Sequence, residues 1–259
     1  MQSFILFNVG ELRYAMALDN IQRILIVPKL TPTSQKDKIF EGMMSYEDDV
    51  IDVVSFRKMI SMQGYSAKVS EMFIDLKGQH KAWVEALSDS VHKHVPFTKT
   101  TDPHACHLGK WIDNFSSYDE EVNGILRHLN THHQALHQSA VGVLERYAED
   151  PAMAEAWCSS HVKGIYEKTI GYIDAIATHA DSVANDSQKL LILEHGGTRF
   201  GLQVDTISDI IHVEESAIKD QSSLQRCGKY ICIKGVLEHE SKLCSVIESI
   251  NISNLTSEV

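Results

Sequence analysis

Four residues in the middle of the chain are good ligands for a zinc ion: His80, Cys106, His133 and His137. His133 and His137 stand four positions apart, so on one helix they share a face with roughly 5–6 Å between Cβ atoms and can grip the same ion. Cys106 offers a thiolate just ahead of Leu108, Gly109 and Trp111. Three imidazoles and one thiolate fill a tetrahedral shell and leave no position for an activated water. The chemistry to expect is therefore binding and sensing, not hydrolysis.

Each donor falls in an element able to aim it. Phe73, Leu76, His80, Trp83 and Leu87 recur at three- and four-residue steps, which predicts a helix near 66–95. Val122, Leu126, Leu129, His133, Leu136, His137, Ala140 and Leu144 predict a second over 118–148, and a short helix at 104–116 follows the start of the cysteine segment. Asp150-Pro151 caps a further helix over 151–183, whose apolar face is Trp157, Ile165, Ile173 and Ile176. With 14 histidines, chance pairs at this spacing occur, and His128 with His132 makes one. A single histidine on an apolar face is ordinarily a hydrogen-bonded core residue. Here three elements each bring a donor toward one interior, and burying so many imidazoles without a partner would carry a large desolvation cost.

Two rival chemistries are weaker. A zinc hydrolase could use Glu85 or Glu120 as base, but no HExxH-like motif supports either. A di-iron bundle of hemerythrin type could draw on His92, His94, His104, His107, His128 and His132, yet the thiolate of Cys106 suits zinc better. These extra histidines read as surface or loop residues.

The run His80-x-x-Trp83, Cys106-x-Leu108-Gly109-x-Trp111, His133-x-x-x-His137 resembles the chemoreceptor zinc-binding (CZB) domain over roughly residues 70–183. The resemblance implies one zinc per chain in a four-helix bundle, with ligands His80, Cys106, His133 and His137, and Trp83, Leu108, Gly109 and Trp111 around them. It also implies that Cys106 senses zinc or oxidants such as hypochlorous acid.

The chain has 259 residues, with 24 Lys and Arg against 35 Asp and Glu, a formal charge of −11. That balance disfavours nucleic acid and anionic membranes as partners and leaves proteins or small ligands. No apolar run is long enough for a signal peptide or a membrane span, so a cytoplasmic location without membrane insertion is expected. The five cysteines are odd in number and scattered, which favours reduced thiols over a disulfide framework, with Cys232 and Cys244 as small core residues.

An internal repeat flanks the helical region. Residues 4–21 align without a gap on 190–207, so that Gly10, Arg13, Asp19, Ile21 and Ile24 recur as Gly196, Arg199, Asp205, Ile207 and Ile210. A second pair of hairpins is led by Gly42 and Gly235. Each half reads as a β unit of four or five short strands, the size of an SH3-like barrel. The halves resemble the CheW family of signalling adaptors over approximately 1–62 and 187–254.

The fold expected is thus α+β: a CheW-like pair of small β-barrels interrupted by an antiparallel four-helix zinc-binding bundle. The domains would be 1–62 and 187–259, the two halves of the CheW-like domain, with 63–186 inserted between them. The resemblance implies a non-enzymatic chemotaxis-type adaptor whose partners are a CheA-like histidine kinase, a chemoreceptor or both, and pairing into a homodimer is compatible with it. Where the family carries an Asn-Leu-Arg-Gly turn, this chain has Ser45 followed by Tyr46, Glu47 and Asp48, which marks those three as candidate partner contacts and puts the usual docking geometry in question. The other reading is the same scaffold with a purely structural zinc, coupled to a cyclase or another kinase.

Overall fold

The apolar runs Phe4–Phe7 and Leu190–Leu193 lie on the first strand of each sequence half, and both are buried on two sides. A computed structural model describes residues 1–34, 37–195, 197–219 and 227–252; Gly196, the repeat partner of Gly10, lies outside them. The first half supplies β1 (Gln2–Val9), β2 (Leu12–Ala17), β3 (Ile21–Ile26), β4 (Phe40–Tyr46) and β5 (Asp49–Ser55), and the second supplies β6 (Lys189–His195), β7 (Thr198–Val204), β8 (Thr206–Val213), β9 (Ile231–His239) and β10 (Lys242–Ile250). They form two five-stranded sheets, ordered β8-β1-β2-β10-β9 and β3-β6-β7-β5-β4. Exchanging each strand for the one five places away in the other half (β1 for β6, β2 for β7, β8 for β3, and so on) converts one order into the other, so the repeat is a true structural repeat.

Neither sheet is built from one half, contrary to the expectation that each half closes on itself. β2 pairs in parallel with β10, β7 in parallel with β5, and the third strand of each half joins the first strand of the other. The reason is edge satisfaction. A lone hairpin exposes two unpaired edges and is marginal in water, whereas exchange gives each first hairpin a neighbour on both sides. Alternation along β1 then serves two cores: Phe4 and Leu6 pack with Ile211, Leu237, Cys244 and Val246 inside the first sheet, while Ile5, Phe7 and Val9 meet Leu191, Leu193, Phe200 and Leu202 in a core shared by both sheets. Strands buried on both faces read as unbroken apolar runs, which is how the sequence reads.

The repeated residues acquire meaning in this exchange. Arg199 on β7 reaches Glu47 and Asp49 of the β4–β5 turn at 3.1 and 3.4 Å, and Arg13 on β2 approaches Glu240 of the β9–β10 turn at 4.0 Å. Each arginine therefore ties its hairpin to the other half's second hairpin. Asp19 and Asp205 part company: Asp19 is exposed, whereas Asp205 is 5% exposed and ion-paired with Arg57, itself 4% exposed. Arg57 lies on α1 (Phe56–Met59) and also donates to the Gln63 carbonyl at 2.8 Å; Asp205 accepts from the Gly10 amide at 2.8 Å and from Gln188 at 3.5 Å. This network surrounds the two places where the chain leaves and re-enters the β unit. Since β5 and β6 belong to the same sheet, both ends of the intervening segment lead into that sheet and not one into each barrel.

The chain divides into two compact units, Met1–Tyr65 with Asn185–Val259, and Ser66–Ala184. Helices follow the expected stripes: α2 (Tyr65–His92), α3 (His107–Asn114), α4 (Glu120–Glu149), α5 (Pro151–Trp157), α6 (Lys163–Ala177) and α7 (Ala180–Ser187). Val69, Phe73, Leu76, His80, Trp83, Leu87 and Val91 form the buried face of α2. Asp119 and Asp150 cap α4 and α5, each accepting two backbone N–H bonds. A single π turn over Cys158–Val162 joins α5 to α6 and adds a residue to the helical count. Ala154, Cys158 and Val162 enter the core at successive four-residue steps, and Trp157, expected there, packs against it while partly exposed, with Arg146 over its ring at 3.9 Å.

The cysteines depart from expectation once. Cys158 and Cys244 are buried thiols, and Cys106 is a free, partly exposed one, but Cys227 and Cys232 are joined as a disulfide, so Cys232 is not a simple core residue. The two face each other across an antiparallel bridge, a local pairing that the count of cysteines does not reveal.

Candidate metal centre

Two helices and one helix start build the site. α2 carries His80 and α4 carries His133 and His137, all three almost fully buried at 3, 1 and 0% exposure. Cys106 is the N-cap of α3, where its sulfur accepts the Gly109 amide at 3.3 Å, and it is only partly buried. One donor atom from each of the four lies within 4.8 Å of all the others. Cys106 Sγ is 3.1 Å from His133 Nε2 and 4.0 Å from His80 Nε2. A tetrahedral ion with bonds of roughly 2.0–2.3 Å spaces its donors about 3.3–3.8 Å apart, and these separations bracket that range.

The tautomers are set for binding. His80 Nδ1 lies 2.8 Å from the Leu76 carbonyl and His137 Nδ1 lies 3.3 Å from the Thr100 carbonyl. A carbonyl only accepts, so each Nδ1 carries the hydrogen and each Nε2 presents its lone pair to the centre. Burial holds His80 below the usual imidazole range and pushes His133 down to about 3 and His137 to about 4. All three are neutral ligands at physiological pH. Burial also pushes the Cys106 thiol up, opposed by the N–H groups of Gly109 and Leu108.

The fit to a metal rests on one orphan. Among the described residues, two buried side-chain polar atoms lack a hydrogen-bond partner, and one of them is His137 Nε2. A buried acceptor left bare costs about 1–3 kcal/mol. An ion at the centre removes that cost and suits the nitrogen and sulfur donor set.

The surrounding residues divide into those that brace the donors and one that stands further off. Trp83 packs on His137 with ring centroids 4.8 Å apart, and its Nε1 donates to the same Thr100 carbonyl at 2.8 Å. Leu108 is fully buried, and at Gly109 a Cβ would sit 1.8 Å from the Pro103 carbonyl oxygen, so only glycine lets α3 close on the segment before Cys106. Trp111 packs against Phe73 and Phe115. The Thr100 carbonyl is the contributor that sequence reading misses, because a backbone acceptor carries no residue-type signal. The remaining histidines are dispersed: His128 and His132 stack on Tyr172, His92 meets Glu155, His94 meets Tyr147, and His104 pairs with Asp113. At the β4–β5 turn, Tyr46 is buried beneath Arg23, whereas Glu47 and Asp48 form the turn itself, with Glu47 in left-handed backbone at φ 53°.

The chain is thus a two-sheet β unit interrupted by a helical unit that carries a His and Cys cluster. Family comparison agrees: residues 3–94 match the CheW-like domain and residues 80–144 match the chemoreceptor zinc-binding domain. The chain therefore carries a CheW-like region and a CZB region, the latter containing the His80, Cys106, His133 and His137 group able to hold one zinc ion, a combination that points to a chemotaxis-type adaptor. CheW-like domains in general couple chemoreceptors to CheA kinases. A comparison with curated proteins returned no match. Among solved structures, the scaffolding protein TtCheW from Thermoanaerobacter tengcongensis is similar at 9% identity and a TM-score of 0.45, covering 96% of this chain and 90% of that chain. No helix among the described residues is long and apolar enough to cross a membrane.

Proposed function

We propose that the protein is a cytoplasmic adaptor in which residues 63–186 sense zinc or oxidants and regulate a scaffold formed by 1–62 and 187–259. The observation that carries this reading is the contrast in access among the donors: three histidines are sealed in the core, while Cys106 is partly exposed at the start of α3. When bound, zinc supplies the charge that keeps Cys106 a thiolate. Hypochlorous acid reaching that sulfur transfers its oxygen to give a sulfenic acid and chloride, a two-electron oxidation that removes the anionic donor. His80, His133 and His137 are then left buried around an incomplete shell, and α2, α3 and α4 lose their common tether. The partner addressed is a CheA-like histidine kinase, with the exposed Glu47–Asp48 turn as a candidate contact.

A structural zinc is the second reading, favoured by the braces at Thr100, Leu76 and Gly109. The two separate when affinity for a CheA-type kinase is followed while zinc is withdrawn by a chelator. A sensor changes affinity at least tenfold as the metal leaves and recovers it on zinc addition. Unchanged affinity in a still-folded chain supports the structural site.

A further inference from the structure

Residues 93–106 join α2 to α3 without helix or strand and run past the metal centre. Their own backbone bonds are local: the Ala105 amide donates to the Asp102 carbonyl at 3.3 Å, the Asp102 amide to Thr100 Oγ1 at 3.1 Å, and the His104 amide to Asp102 Oδ1 at 2.9 Å. What ties the segment to the bundle is a row of separate points. His94, in left-handed backbone at φ 55°, ends α2 beside Tyr147; Phe97 meets the Trp83 indole edge-on with centroids 5.4 Å apart; and Pro103 closes on Gly109. Between Phe97 and Pro103, among the described residues, the polar contacts with the helices converge on one carbonyl. The oxygen of Thr100 accepts from Trp83 Nε1 at 2.8 Å and from His137 Nδ1 at 3.3 Å.

That carbonyl shows how thin the cover is. His137 is 0% exposed, yet the residue that meets its outer nitrogen belongs to an exposed run, Thr98, Lys99 and Thr100. A single thickness of chain separates the imidazole from solvent on this side. His80, His133 and His137 stand on long helices, whose backbone bonds must break before the helices themselves give way. Displacing the segment breaks two hydrogen bonds to Thr100 and the contact of Phe97 with Trp83. Local opening takes the route with the fewest buried contacts and hydrogen bonds to lose. A closed four-donor shell exchanges its metal only when a donor swings away, and His137 is the donor that this opening frees.

We infer that residues 97–103 are a strap that gates zinc exchange, with Trp83 as its latch. The inference rests on His80, Cys106, His133 and His137 holding zinc, and it is the same whether that zinc is sensory or structural. With the latch closed, the Thr100 carbonyl both covers the His137 ring and fixes its orientation. With the latch open, Nδ1 of His137 loses its acceptor, the ring is free to turn from the centre, and water and small chelators reach the donors. Trp83 supplies no donor atom to the shell. It acts on the rate of exchange, through its hydrogen bond to Thr100 and its contact with Phe97.

The test follows zinc release from the full chain into excess chromogenic chelator, and zinc uptake from a buffered solution, by stopped flow. Affinity is measured separately by competition. Trp83→Phe keeps an aromatic ring beside His137 but removes the N–H, and Phe97→Ala alters the strap while leaving every helix and donor unchanged. Loss of one such hydrogen bond shifts an opening equilibrium about five- to tenfold, so Trp83→Phe releases and takes up zinc faster than the parent by about that factor. Phe97→Ala is at least as fast in both directions. Affinity stays within about threefold in each variant, since opening speeds entry and exit alike. The visible spectrum of the cobalt(II)-substituted chain, which reports the donor set, is unchanged. Release at the parental rate in both variants, or faster release matched by an equal loss of affinity with uptake unaltered, overturns the gate. A parent chain that takes up no zinc overturns instead the metal centre on which the gate rests.

Discussion

The β unit and the helical unit each bury a polar cluster, and the two are completed differently. In the β unit, Arg57 and Asp205 meet in an ion pair, and their remaining hydrogen-bonding capacity goes to Gln63, Gly10 and Gln188. Protein groups close that cluster. In the helical unit, His80, Cys106, His133 and His137 converge, yet His137 Nε2 faces the centre with no partner. A joint that the chain finishes by itself is structural; one whose buried donors converge without a protein partner has the character of a cation site.

Removing the metal tests the difference most severely. Binding free energy at structural zinc sites reaches about 10 kcal/mol, so chelation is expected to lower the melting temperature of the helical unit steeply and leave the β unit in place. Calorimetry showing two transitions, of which only one responds to chelator, bears this out; two unresponsive transitions break the comparison. In the β unit the corresponding damage comes from unpairing the ions. Arg57→Met is expected to cost about 3–5 kcal/mol by stranding Asp205, while Arg57→Met with Asp205→Leu costs much less, because no buried charge remains unpaired. Denaturant melts of the single and double variants check this, and equal losses would show that the pair does not act as a unit.

Acid separates the clusters next. In the metal-free chain His133 and His137 protonate near 3 and 4 when folded but near the ordinary 6.5 when unfolded. The unfolded state therefore binds more protons across that interval, and stability declines as pH falls from 6.5 toward 4. The melting temperature of the chelated helical unit is expected to be lower at pH 5 than at pH 7.5; a flat profile would mean that the imidazoles are solvated. A smaller effect follows from Gly109→Ala. The added Cβ must displace Pro103 or α3, moving Cys106 off the centre, and zinc affinity falls about 10- to 100-fold, as it does when groups supporting a ligand are lost. A competition titration with a chromogenic chelator measures it, and unchanged affinity would show that the Pro103 clasp does not position the sulfur.

Legibility in the sequence followed the range of the interactions. His133 and His137 announce themselves because four-residue spacing on a helix is a local pattern, and the stripe from Phe73 to Leu87 places His80 in register. The repeat exposes the two hairpins of each half, since each carries its own alternation, but leaves β3 and β8 unplaced. Pairing partners do not show: β2 with β10 and β5 with β7 are parallel contacts across long separations, so the exchange of hairpins between sheets is invisible to local periodicity. Arg57 and Asp205, 148 residues apart, escape for the same reason. Cys227 and Cys232 were legible as cysteines but not as a pair, and Trp157 packs on the expected core while leaving one face to Arg146.

The most direct measurement is zinc content of the purified, reduced chain before and after one equivalent of hypochlorous acid, with Cys106→Ala alongside. The account predicts one zinc per parent chain, released on oxidation and regained after reduction, and a variant that binds zinc more weakly and shows no oxidant-dependent release. Zinc that stays bound to the parent throughout, or leaves the parent and the variant alike, would contradict Cys106 as the donor through which the site is switched.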